Sequence, residues 1–163
     1  MKRDYLHNIR YLLIMCFGLL NACTTFDKTE CQYCTSNNNQ TKTTNFCLNA
    51  GLYEGKVIGD GHCVSLIKYC SNAPNTDQWY PGEIVWQNEI KPGSIIATFK
   101  NNRYPNITGY HAAIYISQDA SGIWVWDQWQ GKPVHKRLIR WRNDGATNNN
   151  TAQSYRTVLW LAE

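Results

Sequence analysis

The sequence lacks the features that would indicate a repeat protein, a membrane-spanning protein or a nucleic-acid-binding protein. No internal repeat is visible in its 163 residues. The apolar run Tyr11–Leu20 is about half as long as a permanent membrane-spanning helix, which needs roughly 20 residues. The net charge is +4, and removing residues 1–22 takes away three cations and one anion and leaves +2. A charge this small does not indicate a nucleic-acid partner or an anionic membrane surface.

The first residues have the pattern of an export signal. Three cations lie within the first ten residues, an apolar run follows them, and small residues come next. This pattern predicts a signal peptide over residues 1–22, with a buried N-terminal helix as the alternative. The segment Leu20–Cys23 also resembles a bacterial lipobox, in which Cys23 is lipidated; ordinary cleavage near Ala22 is the alternative. We therefore expect an exported protein, in the periplasm or lipid-anchored to the cell envelope through Cys23.

The cysteine count points to one free thiol. The chain has seven cysteines, of which Cys16 leaves with the signal and Cys23 is the lipidation candidate. Five remain, and an odd number in an exported protein indicates an unpaired thiol. We assign that thiol to Cys63. The other four cysteines lie in a polar stretch or at the end of a predicted helix and are the disulfide candidates: Cys31, Cys34, Cys47 and Cys70. They allow three different pairings.

A zinc site at Cys31 and Cys34 is the other interpretation of these cysteines. The pair has the right spacing, but no second pair at metal-binding spacing accompanies it, and the export signal favours disulfides. We therefore expect neither a metal nor another cofactor.

The rest of the chain predicts an α+β domain. Residues 23–50 form a polar, disulfide-tethered arm, and residues 51–163 form the globular domain. The glycine turn before Cys63 is followed by apolar residues at helical spacing, which predicts a helix that begins near Cys63. An antiparallel sheet of about five strands then follows, over Ser94–Phe99, His111–Ser117, Ile123–Gln128, Val134–Trp141 and Tyr155–Ala162.

Cys63 and His111 are the candidates for chemistry. A helix N-terminus stabilises a thiolate, and a nearby imidazole lowers the pKa of a thiol further. His111 opens a predicted strand, where a rigid scaffold can present a base. His62 is adjacent to Cys63, so it is suited to support an oxyanion rather than to act as the base. The alternatives are a cysteine packed inertly in the core and a purely structural histidine.

Asp127 is the candidate for the third group, which orients the imidazole. It lies in an aromatic strand after His111, and a buried carboxylate needs a partner. Gln128 is the substitute for this role. The tryptophans of the same strand, Trp124, Trp126 and Trp129, either fill the core or offer a stacking surface for a sugar or peptide.

Three segments together resemble the NlpC-type and CHAP cysteine peptidases and amidases. They are Gly59–Lys68, His111–Ile116 and Trp126–Trp129. The similarity covers about residues 53–160 and is closest to a small bacterial branch related to the amidase effectors of type VI secretion. It implies a papain-like α+β fold whose nucleophile begins a helix packed on an antiparallel sheet. Carried over by position, Cys63 matches the nucleophile, His111 the base and Asp127 the third polar group.

The resemblance also implies a substrate and partners. Such enzymes hydrolyse amide bonds in the stem peptides or cross-links of peptidoglycan, and an inhibitor or immunity protein is an expected partner. Many relatives have Gln directly before the nucleophile, where this chain has His62. The export signal is unlike a type VI effector and favours a periplasmic or surface-anchored wall enzyme.

Two other functions fit the same residues. One is a non-catalytic wall-binding or inhibitory lipoprotein on the same scaffold, in which Cys63 is incidental. The other is an acyl-transferring relative that uses the same dyad with a different acceptor.

Overall fold

The fold is built around one antiparallel sheet with a short helix on one face. The structure is a computed structural model and describes residues 42–44 and 46–161. The helix α1 spans Cys63–Cys70. The strands are β1 (Lys42–Thr44), β2 (Tyr80–Ile84), β3 (Ile95–Thr98), β4 (Ala112–Asp119), β5 (Gly122–Trp129), β6 (Lys132–Arg140) and β7 (Tyr155–Leu161). Short 3₁₀ turns occur at Ala50–Tyr53, Thr76–Gln78, Asn148–Asn150 and Ala152–Ser154.

The strand order is β1-β7-β3-β4-β5-β6, and β2 also pairs with β7. The strands β4, β5 and β6 form consecutive hairpins, because short glycine-containing turns connect them. The last strand, β7, returns to the other side of β3. This topology brings the start of β4 and the end of β5 to the same end of the sheet.

The predicted α+β class is confirmed, and so is the helix that begins at Cys63. All five predicted strands are present, and the described sheet has seven strands because β1 and β2 join them. The sequence gives little sign of β2, since Pro81 and Gly82 lie inside it and both residues are rare within strands. The strand β1 is too short to show a period-2 pattern.

Alternate residues of the central strands serve two cores, one on each face of the sheet. Ile95 and Ile114 pack with Leu66 and Ile67 of α1, whereas Ile96 belongs to the opposite core. Because side chains of a strand alternate between faces, the strand Ile95–Thr98 is buried by one core on each face. Leu66 and Ile67 are fully buried, and each burial stabilises the helix position by about 1.5–3 kcal/mol.

A disulfide between Cys47 and Cys70 joins the end of α1 to the segment that follows β1. Cys47 is buried, and its backbone N–H donates to the carbonyl of Gly93. The predicted arm covers residues 23–50. Near its end, Cys47 therefore packs against the domain. The arm's predicted boundary at residue 50 falls inside the 3₁₀ turn Ala50–Tyr53.

Several predictions concern residues outside the described part of the chain. These are the signal peptide over residues 1–22, the lipidation candidate Cys23, and the cysteines Cys31 and Cys34. In the described residues, no helix combines the length and apolar character needed to cross a membrane.

Candidate active site

The glycine loop before α1 presents Cys63 at the first position of the helix. Gly59 and Gly61 have φ angles of 59° and 81°, which favour glycine. A Cβ atom on Gly59 would also lie 2.9 Å from Cβ of Ser65. The carboxylate of Asp60 accepts hydrogen bonds from the backbone N–H of His62 at 3.0 Å and from the hydroxyl of Ser65 at 2.5 Å. These contacts fix the turn that leads into Cys63.

Gln128 holds the same loop from the sheet side. Its side chain accepts a hydrogen bond from the N–H of Ile58 at 3.0 Å and donates to the carbonyls of Ile58 and His62, both at 2.8 Å. The Gln128 side chain is fully buried, so its amide depends on these loop atoms as its hydrogen-bond partners. Gln128 therefore supports the loop before Cys63 rather than occupying the place of Asp127.

His111 and Asp127 form a buried pair at the end of the sheet. His111 directly precedes β4, and its backbone N–H donates to the hydroxyl of Thr98 at 3.0 Å. Its Nε2 lies 2.5 Å from Oδ1 of Asp127. Asp127 is 0% exposed and His111 is 7% exposed. Asp127 thus occupies Nε2 and leaves the other ring nitrogen, Nδ1, for a different partner.

Asp127 has a second cationic partner. The Nε of Arg137 on β6 lies 2.7 Å from the other carboxylate oxygen, Oδ2. The carboxylate is therefore held between an imidazole and a guanidinium, which offset the cost of burying its charge.

The electrostatics favour a thiolate–imidazolium pair. Burial on its own raises the pKa of the Cys63 thiol, but hydrogen bonds and charge from His111 outweigh burial and lower that pKa below its ordinary value. Burial on its own lowers the pKa of His111, but Asp127 and the Cys63 sulfur raise it from 6.5 to about 9. Near neutral pH the sulfur is thus able to carry the negative charge and the ring the positive one.

Tyr104 is one of two residues at this site that the sequence does not reveal. Its hydroxyl lies 3.6 Å from Sγ of Cys63. Its ring is buried against Trp79, with centroids 5.2 Å apart, and meets Phe99 edge to face at 6.4 Å. Burial first, and then the negative charge of Cys63, raise the pKa of Tyr104, so its hydroxyl stays protonated and available as a donor. Tyr104 lies in an irregular loop, where no periodicity marks it.

The sequence does not mark Arg137 as a site residue either, because His135 and Lys136 before it suggest a solvated strand. The strand register in the structure shows its place. Val125 pairs with Arg137 and Asp127 pairs with His135, so these four residues are neighbours on two adjacent strands.

These residues meet at a cleft of about 890 Å³. Cys63, Tyr104 and His111 line one part of it, and the loop Asn106–Thr108 lines another. Trp129, which is 38% exposed, also lines the cleft and contacts the His111 ring edge to face at 6.4 Å. The cleft thus exposes the sulfur while Asp127 stays buried beneath it.

The other predicted residues lie as follows. His62 is exposed at the cleft, directly before Cys63. His135 is half-buried and stacks edge to face on Trp129 at 4.8 Å. Trp126 packs against the core that contains α1, and Trp124 lies under the ammonium of Lys136 at 5.0 Å. Cys63 is the free cysteine among the described residues, and those residues contain no group of three or more side chains that could hold a metal ion.

Comparison with known proteins gives consistent matches. Residues 35–158 match the family model described as domesticated amidase effector 2 (Dae2). The type VI secretion amidase effector 2 protein of Salmonella typhi is 41% identical over 106 residues, which are 61% of this chain and 80% of that protein. Domesticated amidase effector 2 of Ixodes scapularis is 39% identical over 123 residues, 69% of this chain and 84% of that protein.

A solved structure extends the match to three dimensions. It is type 6 secretion amidase effector 2 (Tae2), with a TM-score of 0.63 and 37% sequence identity, and the match covers 73% of this chain and 96% of that one. The family model spans well over half of the chain, and two relatives exceed a third in identity over most of their own length. The chain therefore belongs to the domesticated amidase effector 2 family.

Proposed function

We propose that the protein is a cysteine amidase that hydrolyses an amide bond in the stem peptides or cross-links of peptidoglycan. The observation that carries the proposal is the alignment of Cys63, His111 and Asp127 at an open cleft. Its relatives are named amidase effectors, which supports amide hydrolysis as the reaction. The helix, the sheet and the order Cys63, His111, Asp127 are compatible with a papain-like arrangement of the NlpC and CHAP kind.

In the first half of the reaction, the Cys63 thiolate attacks the amide carbonyl carbon. The negative charge that develops on the carbonyl oxygen is stabilised by the backbone N–H groups at the start of α1 and by the Tyr104 hydroxyl. His111 then gives its Nδ1 proton to the leaving nitrogen. The C–N bond breaks, and the amine departs while the acyl group remains on sulfur as a thioester.

In the second half, the neutral His111 takes a proton from a water molecule. The hydroxide attacks the thioester carbonyl, the C–S bond breaks, and a carboxylic acid leaves. The thiolate–imidazolium pair is thereby restored. Asp127 keeps Nε2 of His111 protonated and aims Nδ1 at the sulfur through both halves.

The location and partners of the protein are part of the same proposal. An export signal over residues 1–22, a polar arm over residues 23–50 and a domain from residue 51 describe an enzyme that works in the periplasm or on the envelope. A lipid on Cys23 would keep it at the membrane. An immunity or inhibitor protein that fills the cleft would protect the producing cell.

The test is digestion of purified peptidoglycan by the mature protein, with the soluble products identified by mass spectrometry. We expect stem-peptide fragments with a new amino group and a new carboxyl group at one bond. If the protein pellets with the wall and releases nothing, it is a binding module on the same scaffold. If an added amine appears in the product in place of water, it is an acyl transferase.

A further inference from the structure

The proposed reaction uses only one oxygen of Asp127, and the other oxygen is paired with a cation. Oδ1 meets Nε2 of His111 at 2.5 Å, and Oδ2 meets Nε of Arg137 at 2.7 Å. The carboxylate is fully buried. Rotation about the Cβ–Cγ bond of an aspartate is soft, so a single contact would leave the orientation of the carboxylate poorly defined. Two contacts on opposite oxygens define it.

The surroundings of Arg137 hold its guanidinium in place. Its Nε and Nη2 atoms are buried and are not aligned as hydrogen-bond donors, so Nε pairs with Oδ2 of Asp127 through charge at 2.7 Å, although 21% of the side chain is exposed. The guanidinium carbon lies 5.2 Å from the ring centre of Trp129. The guanidinium thus contacts the carboxylate of Asp127 and also the tryptophan that lines the cleft.

The other titratable groups around this pair come from five parts of the chain. His111 precedes β4, His135 lies on β6 across from Asp127, and Tyr155 begins β7. Tyr155 is fully buried, its hydroxyl donates to the carbonyl of Asn149 at 3.1 Å, and burial raises its pKa, so it keeps its proton. Cys63 and Tyr104 complete the set from α1 and the cleft loop. Arg137 is the cation that meets Asp127 on the side away from His111.

We propose that Arg137 is a positioning residue of the amidase, which fixes the carboxylate of Asp127 so that Oδ1 stays on Nε2 of His111. This inference rests on the proposed function, but Arg137 affects the ionisation of the Cys63 thiol in the free protein, before any substrate binds. Without Arg137, the buried carboxylate loses the cation that pairs with Oδ2, and it no longer holds the imidazole in one orientation. The thiolate–imidazolium pair is then weaker.

The test measures the alkylation rate of Cys63 by iodoacetamide across a pH range, using the full chain without substrate. The variants are Arg137→Gln, which loses the charge, and Arg137→Lys, which keeps it. Arg140→Gln is the control, because Arg140 is an exposed residue of the same strand. We expect the titration midpoint of Cys63 to rise in Arg137→Gln, to move less in Arg137→Lys, and to stay unchanged in Arg140→Gln. In the Asp127→Asn background, Arg137→Gln should have no further effect.

Turnover of peptidoglycan fragments gives the second measurement. We expect Arg137→Gln to lower kcat by between about tenfold and a hundredfold with little change in KM, as for a misplaced catalytic group. A folded Arg137→Gln variant with the wild-type alkylation midpoint would overturn the proposal, even if its thermal stability were lower. If Arg137→Gln shifts the midpoint but the wild-type protein does not digest peptidoglycan, the result supports the role of Arg137 and overturns only the proposed substrate.

Discussion

Oδ1 of Asp127 lies 2.5 Å from Nε2 of His111, in a position that solvent does not reach. This relationship determines which nitrogen of the imidazole remains for Cys63. It also explains why a histidine that is 7% exposed keeps a proton up to about pH 9, since burial alone would favour the neutral ring. The chemistry of the cleft depends on this buried contact.

The pH profile of kcat/KM should therefore be bell-shaped. Activity requires Cys63 to be ionised and His111 to be protonated. The rising limb marks ionisation of Cys63 and lies below the ordinary thiol pKa of 9.0. The falling limb marks loss of the His111 proton, near its pKa of about 9. Asp127→Asn removes the charge that raises the His111 pKa. We expect its falling limb to move toward 6.5 and its kcat to drop by about 10²–10⁴. An unmoved falling limb in Asp127→Asn would show that another group sets it.

Removal of the Tyr104 hydroxyl should affect the rate more than the fold. Tyr104→Phe keeps the ring that packs on Trp79 and deletes only the donor beside the sulfur. We expect kcat to fall by about 10²–10³, as when one oxyanion donor is removed, with a thermal midpoint close to that of the wild type. Tyr69→Phe is the matched control, because Tyr69 is an exposed residue of α1. Equal activities for Tyr104→Phe and Tyr69→Phe would remove Tyr104 from the mechanism.

Gln128 should matter for stability as well as for activity. Gln128→Leu leaves the N–H of Ile58 without its partner and removes one of two hydrogen bonds from each of the carbonyls of Ile58 and His62. We expect the free energy of unfolding to fall by about 2–4 kcal/mol, with reduced kcat because the loop positions Cys63. Chemical denaturation measures the first effect, and Gln130→Leu at an exposed turn position serves as the control. Unchanged stability in Gln128→Leu would mean that the loop holds its shape without these bonds.

The disulfide should stabilise the catalytic helix from its far end. Cys47 and Cys70 are 23 residues apart, so the crosslink restricts the unfolded chain by about 3 kcal/mol. We expect Cys47→Ala/Cys70→Ala to unfold at lower denaturant concentration and to alkylate at Cys63 with the wild-type pH midpoint. The second measurement separates stability from chemistry. A shifted midpoint would show that the disulfide also sets the position of Cys63.

The sequence predicts the helix and five strands because their hydrophobic patterns are local and strong. The run from Ile123 to Gln128 is one such case. It does not predict β2, because Pro81 and Gly82 are accepted there through pairing with β7, a contact distant along the chain. The sequence also suggests a polar arm that ends at residue 50. Cys47 of this arm is nevertheless buried, because it meets residues that are distant along the chain.

Some residues of the candidate site can be predicted from the sequence, and others only from the structure. Cys63, His111 and Asp127 can be proposed from residue type and order, since each has a local context. Tyr104 and Arg137 are found only in three dimensions, where a loop residue meets the sulfur and a strand residue meets the back of the carboxylate. The pairing of Cys47 with Cys70 is one of the combinations that the cysteine count leaves open.

The most direct test of the central claim compares the wild-type protein with Cys63→Ala on purified peptidoglycan, measuring the rate at which stem-peptide fragments appear. Cys63 is half-buried beside a cleft, so its replacement by alanine should leave the fold intact, and circular dichroism checks this. The account predicts fragments from the wild type and none above background from Cys63→Ala. Release of the same fragments by folded Cys63→Ala at the wild-type rate would contradict it.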